Sequence, residues 1–221
     1  MGGDHANGTA GSTPGTAAPR VPLTHARIAA AVAEVGFDRA TTTNVARHLG
    51  VDQSSLYRHI GSREEMVRQA AELVIAAVEW PDADDWRGYL GGLADALWEL
   101  FEAYPGLAEE LQLMHRLPDA SYRMLVTVAH RLRSLGFPLR TAVLLVDTVS
   151  DTMADAFLGP PPRNAPAAPG EVPGVPDPAP YLAELARARA TDRRAYWRAR
   201  LDLLLTGAAV SDAGERSAPV P

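Results

Sequence analysis

The sequence contains no cysteine and no lysine. The first absence excludes disulfides, thiolate chemistry and sulfur-ligated zinc. The second leaves all 21 basic residues as arginine, which is compatible with codon bias and carries no functional weight. No run of about 18 apolar residues occurs, so no helical membrane span is expected. Residues 1–20, MGGDHANGTAGSTPGTAAPR, have neither a basic start nor an apolar core, so they do not read as a signal peptide. A cytoplasmic location with no membrane partner is the default expectation. No glycine-rich phosphate loop, nucleophile elbow or paired-histidine metal spacing is present. Asp82, Asp84 and Asp85 cluster, but as a helix entrance. These absences argue against an enzyme, and neither a cofactor nor a metal is expected.

What is present is a chain of 221 residues, 47% apolar, enough to build a core for one or two small helical domains. Its net charge is −6, and that charge is unevenly placed. Residues 1–63 carry six Arg against four acids, whereas residues 64–221 carry 15 Arg against 23 acids. A mildly basic head on an acidic body can meet nucleic acid locally, although an excess of two charges is small.

Apolar residues recur at helical spacing almost throughout. The first helix begins near Thr24 and ends at Gly36. The second spans Thr42 to Leu49 with Thr41 as cap, and Gly50 turns the chain in a left-handed conformation. Asp52 caps a third helix over Gln53 to His59. Ser62 and Glu65 form a capping box for a fourth helix reaching about Val78. Further helices are expected over Asp85–Tyr104, Leu107–His115, Ala120–Leu135, and from Pro138 to about Leu158. Two more follow, over Tyr181–Ala190 and Asp192–Leu205, with Gly207 as terminator. Nine of the 22 residues in 159–180 are proline, which marks a long exposed loop. No alternating strand pattern or internal repeat is visible, so the fold class is all-α.

Residues 36–66, GFDRATTTNVARHLGVDQSSLYRHIGSREEM, carry the strongest signal. Two short helices meet across Gly50, with Val45, Ala46 and Leu49 facing Val51, Leu56 and Ile60. The polar inventory of the third helix is then Gln53, Ser54, Ser55, Tyr57, Arg58 and His59. A short exposed helix of this kind fits a DNA major groove. Gln53 at its start has the geometry to bond bidentately to adenine, the plainer alternative being a solvated glutamine.

The pattern resembles the helix-turn-helix of the tetracycline-repressor family of transcriptional regulators. It is carried by Gly36-Phe37, Thr41, Val45-Ala46, Leu49-Gly50-Val51, Leu56-Tyr57-Arg58-His59-Ile60 and Arg63-Glu64-Glu65-Met66. Ile60 departs from the family's usual aromatic residue, Arg63 from the commoner lysine and Asn44 from the frequent glutamate. The resemblance implies double-stranded operator DNA as a partner. Gln53 matches a base-reading position, and Tyr57 and His59 match phosphate-bonding positions. Thr41, Thr43, Ser54 and Ser55 would approach bases or phosphates. Arg27 and Arg47 would add backbone contacts, Arg58 is a further DNA-facing candidate at a position that varies in the family, and Arg63 stands at the N-terminus of the fourth helix, where free amides and the dipole also attract phosphate. Domain limits follow: a tail at 1–19, a DNA-binding head at 20–66, an effector-binding and dimerisation body at 67–207, and a flexible tail at 208–221.

The body resembles the same family more weakly, through Tyr104-Pro105, Leu135-Gly136-Phe137 and the long loop before the last helices. The resemblance implies a homodimer paired through helices 139–158 and 192–206. Leu139, Val143, Val146, Val149, Met153 and Phe157 would form one stripe, and Trp197, Leu201 and Leu204 the other. The alternative is ordinary intramolecular core. The resemblance also implies a small-molecule effector between the middle helices, other than magnesium-bound tetracycline and largely apolar. Candidate pocket residues are Trp98, Phe101, Met114, His115, Tyr122, His130 and Met153. Plain core for the aromatics, and plain surface for the histidines, is the competing reading. The implied function is a homodimeric regulator, a repressor released from a palindromic operator by that effector. The alternative is a helical dimer that binds DNA or a partner without any effector.

Overall fold

The computed structural model describes residues 22–158, 177, 179–190 and 192–216. The expected N-terminal tail, most of the proline-rich stretch and residues 217–221 lie outside the described residues. Among the described residues the fold is all-helical: α1 His25–Val35, a 3-10 turn Phe37–Arg39, α2 Thr42–Leu49, α3 Gln53–Leu56, α4 Arg63–Ala76, α5 Trp86–Ala103, α6 Leu107–Leu113, α7 Asp119–Ser134, α8 Leu139–Phe157, α9 Ala179–Ala190 and α10 Arg193–Arg216.

Local chemistry sets most of these boundaries. The Thr24, Thr41, Ser62 and Asp85 side chains accept the N–H groups of Arg27, Asn44, Glu65 and Gly88, capping α1, α2, α4 and α5. Each bond satisfies one of the amides that a helix start leaves unpaired. α7 has no such cap of its own, because Pro118 precedes it. Its first turn is capped from a distance: the Glu72 carboxylate of α4 accepts the Ala120 N–H at 2.7 Å and pairs with Arg123.

Four expectations need correction. α3 keeps helical bonding only to Leu56, and hydrogen-bonded turns carry the chain on to Ile60. The Asp52 side chain does not cap it; the Asp52 carbonyl takes the Ser55 N–H at 2.8 Å instead. α10 does not stop at Gly207 but continues to Arg216. An interior glycine costs a helix only about 1 kcal/mol, and Gly207 has no positive φ to turn the chain.

One apolar core runs from head to body. α1 packs along α4, burying Ile28, Val32, Met66, Val67, Ala70 and Val74, so α4 belongs to the head's core as much as to the body's. In the body, α8 lies against α5, α7 and α10. The fourth correction concerns the stripes expected to face a second copy. Val146, Val149, Met153, Trp197 and Leu201 are buried within the single chain. A 3–4 spacing marks a buried face without saying which partner buries it. Among the described side chains, the exposed large apolar residues of α8 and α10 are Leu139, Leu144 and Leu203, with Val143 and Leu204 half-buried.

Head and body meet tightly at Gly106. Asp38 donates its N–H to the Pro105 carbonyl at 3.2 Å, and Phe37 packs edge-on against Tyr104. Gly106 has φ +84°, and a Cβ there would lie 2.3 Å from the Asp38 backbone nitrogen. Gly106→Ala is therefore expected to cost about 1–3 kcal/mol or more in urea unfolding. Gly91→Ala, in the middle of α5 with nothing within 4 Å of its Cβ, should instead stabilise by about 0.5–1 kcal/mol.

Asp147, Asp151 and Asp155 follow one another at helical spacing on α8 and are exposed. Desolvation first, and then its two neighbours, raise the Asp151 carboxyl above its ordinary pKa. A group raised on folding favours the folded state while protonated, and that contribution disappears as pH rises through the folded value. Asp151→Asn should raise the urea midpoint at pH 7, and the gain should vanish near about pH 3, where carboxylates are protonated in both states.

Candidate nucleic-acid interface

α2 and α3 meet across Gly50, which sits at φ +66°, ψ +34° and donates its N–H to the Arg47 carbonyl at 3.2 Å. Val51 then donates to the Ala46 carbonyl at 3.0 Å. Ala46 is 4% exposed, so a larger side chain there would spread the two helices. Beneath them lie Val45, Leu56 and Ile60, all buried. This small core turns the polar sides of α2 and α3 outward.

Thr41, Thr43, Arg47, Gln53, Ser54, Tyr57 and Arg58 are exposed, and Ser55 and His59 are partly so. The exposed groups are braced. Gln53 Nε2 donates to Thr42 Oγ1 at 2.6 Å, and the Tyr57 hydroxyl lies 3.5 Å from the same oxygen. Arg58 donates to Ser55 Oγ at 2.9 Å. Arg47 donates to Asn44 Oδ1 at 3.1 Å, and Asn44 in turn donates to the Arg39 carbonyl at 2.9 Å. His25 donates its ring N–H to the His59 carbonyl at 2.6 Å, with the two rings edge to face. Arg27 lines the groove between α1 and the α2–α3 turn, together with Arg58 and His59.

Thr42 is the residue that reading the sequence missed. It is 9% exposed, it accepts from Gln53, and its hydroxyl is shared with Tyr57. The threonine run 41–43 is visible in the sequence, but which member turns inward depends on helix phase.

Arg63 is turned the other way. Its Nε donates to the Ala40 carbonyl at 3.0 Å, and its two terminal nitrogens form a fork on the Glu110 carboxylate at 3.0 and 2.6 Å. The Glu110 hydrogen bond raises its pKa, outweighing the opposing effect of burial. A guanidinium so engaged fastens the head to α6 rather than standing ready for a phosphate.

Residues 27–70 match the family model described as "Bacterial regulatory proteins, tetR family". Over 76 residues the chain is 37% identical to the tetracycline repressor protein class A from transposon 1721 of Escherichia coli. The head of the chain is therefore similar in sequence to the DNA-binding segment of tetR-family regulators. That alignment covers 32% of this chain and 35% of the repressor, so the chain spans about a third of the length of the curated relative it matches. Two crystal structures extend the likeness of fold over the body. Apo ActR from Streptomyces coelicolor has a TM-score of 0.69 at 23% identity, covering 87% of this chain and 99% of that one. A TetR variant from Acinetobacter baumannii AYE in complex with minocycline has a TM-score of 0.62 at 22% identity, covering 86% and 99%.

In the body the expected pocket residues do not form one set. Trp98 and Phe101 line a cavity of about 640 Å³ between α5, α6 and the ends of α8 and α10. Met153 is fully buried in the core, and Met114 is half-buried beside it. His115, Tyr122 and His130 are exposed. His115 instead faces Glu64, donating its backbone N–H to Oε1 at 3.2 Å. The cavity adds Phe157 of α8, which the sequence placed in the dimer stripe, and Asp38 of the head.

The Thr42 hydroxyl should couple energetically to Gln53. Thr42→Val, which keeps the shape and deletes the acceptor, should cost about 1 kcal/mol in urea. A double-mutant cycle with Gln53→Ala should return a coupling of about 0.5–1 kcal/mol; additivity would mean that Gln53 is not braced in solution.

Proposed function

We propose that this chain is a homodimeric transcriptional regulator that binds a palindromic DNA operator and is released from it by a small molecule. The observation that carries this reading is the outward polar face of α2 and α3: Thr43, Gln53, Ser54, Tyr57 and Arg58 stand exposed on a helix-turn-helix whose segment matches the family model. α3 enters the major groove, where Gln53 reads a base edge and Tyr57 and His59 bond phosphates. Ser54 and Ser55 approach base edges or backbone, and Thr41, Thr43, Arg27, Arg47 and Arg58 complete the backbone contacts. Arg63 contributes by holding the head in place.

One head reads only a few base pairs, so a two-fold pair is needed for a specific operator. The pairing surface is the outer face of α8 and α10, with Leu139, Leu144 and Leu203 on it. Residues 20–66 form the DNA-reading unit, and the body from 67 onward pairs and takes the effector. The body cavity favours an effector-responsive protein over one that only binds DNA or a partner, since its volume falls in the range of small-molecule sites. The A. baumannii relative holds minocycline, and a small organic effector is proposed here by that likeness. Regulation is then a shift between DNA-fitting and non-fitting states.

The test is selection from a random duplex library with the full chain, followed by affinity measurements on the enriched site. A palindromic consensus is expected. Tyr57→Phe should weaken binding about 5–30-fold with no change of sequence preference, as for a lost phosphate contact. Gln53→Ala should cost a similar amount while relaxing preference at one base pair in each half-site. Absence of any enriched site at low salt would overturn the DNA-binding reading.

A further inference from the structure

The cavity at the seam of head and body has a wall of one kind and a rim of another. Its wall is aromatic. Trp98 and Phe157 lie with ring centroids 4.7 Å apart, and Phe101 lies 5.7 Å from Phe157. Its rim carries Asp38, Glu102, Glu109 and Asp192 against a single cation, Arg193. Asp38 has Arg39 Nε at 3.7 Å, whereas Glu102, Glu109 and Asp192 have no ion pair among the described residues. Three unpaired carboxylates around a concave site focus negative potential into it.

The ring faces already attract cations. The Arg193 guanidinium lies 5.4 Å from the Phe157 centroid, and that of Arg194 lies 5.9 Å from Trp98. A cation over an aromatic face gains from the ring quadrupole, and gains more where water is excluded.

We infer that this cavity binds a lipophilic organic cation: a planar aromatic body against Trp98, Phe101 and Phe157, with a protonated amine held by the rim carboxylates. The inference rests on the proposed effector-responsive function and names the chemical class of the effector. Arg193 is the competitor that the guest displaces from Phe157. A neutral aromatic compound would gain the stacking but not the charge. An aromatic carboxylate would meet three uncompensated acids.

The experiment uses the full chain without DNA and three probes that share one ring system: 1-pyrenemethylammonium, 1-pyrenemethanol and 1-pyrenecarboxylate. Affinities are measured by isothermal titration calorimetry. The ammonium probe should bind at least about ten-fold tighter than the alcohol, and the carboxylate weakest. Glu102→Gln with Glu109→Gln should remove most of that preference while leaving alcohol binding unchanged. Both residues are exposed, so the fold should survive. Arg193→Ala should tighten the ammonium probe several-fold, an effect opposite to the one a merely structural arginine would give. Phe157→Leu should weaken all three probes.

Equal or tighter binding of the alcohol or the carboxylate overturns the inference, as does failure of the ammonium probe to bind. Addition of each probe to the protein on its selected duplex separates the two readings. If the ammonium probe binds but leaves the duplex bound, the ligand class stands and the effector role fails. If only a neutral or anionic probe releases the duplex, the effector role stands and the cation class fails.

Discussion

The arrangement depends on one guanidinium. Arg63 begins α4, reaches back to the Ala40 carbonyl in the head, and forks onto Glu110 in α6. A bidentate charge-assisted pair fixes direction as well as distance, so α6 and the α2–α3 unit cannot tilt independently while it holds. Two further links are built on the same helix. Glu64 takes the His115 N–H just beyond α6, and Glu72 caps the start of α7. A helix whose apolar side completes the head's core thus presents its acids and its arginine to the body. The seam at Gly106 allows this closeness, because any side chain there would collide with Asp38.

What the sequence disclosed follows from range. Helix starts at Thr24, Thr41, Ser62 and Asp85 are set by bonds between residues three apart, and composition reveals them. The left-handed turn at Gly50 is equally local. The ends of α3 and α10 were misjudged locally, but the misreadings of packing involve partners far along the chain. Arg63 looked like a phosphate ligand because its local setting is a helix N-terminus, but Glu110 lies 47 residues away. The stripe Val146, Val149, Met153 looked like a subunit interface, but α5, α7 and α10 of the same chain cover it. Of the expected pocket residues, Trp98 and Phe101 share a cavity while His115, Tyr122 and His130 face outward. A ring type names a possible wall; only the packing of α5 against the ends of α8 and α10 makes it one.

Head and body also differ in how completely their polar groups are satisfied. The buried side-chain atoms without partners belong to Gln69, Trp98, Arg131, Ser150 and Trp197, and none lies between residues 22 and 62. In the head, even the exposed Gln53, Arg47 and Arg58 are braced by neighbours. Among the described residues, buried side-chain donors and acceptors without a protein partner thus begin only with α4. Three of these atoms lie on α5, α8 and α10, the helices around the Trp98–Trp197 contact.

That asymmetry fits a division of labour in which one part must present fixed geometry and the other must occupy more than one state. A ligand shifts an equilibrium only by its differential affinity for the two states. The proposed guest site borders Asp38, at the seam where the head is held and next to the contact that Gly106 makes possible. A guest bound there would bear directly on residues that position the head, and no long chain of intermediates would be needed between them.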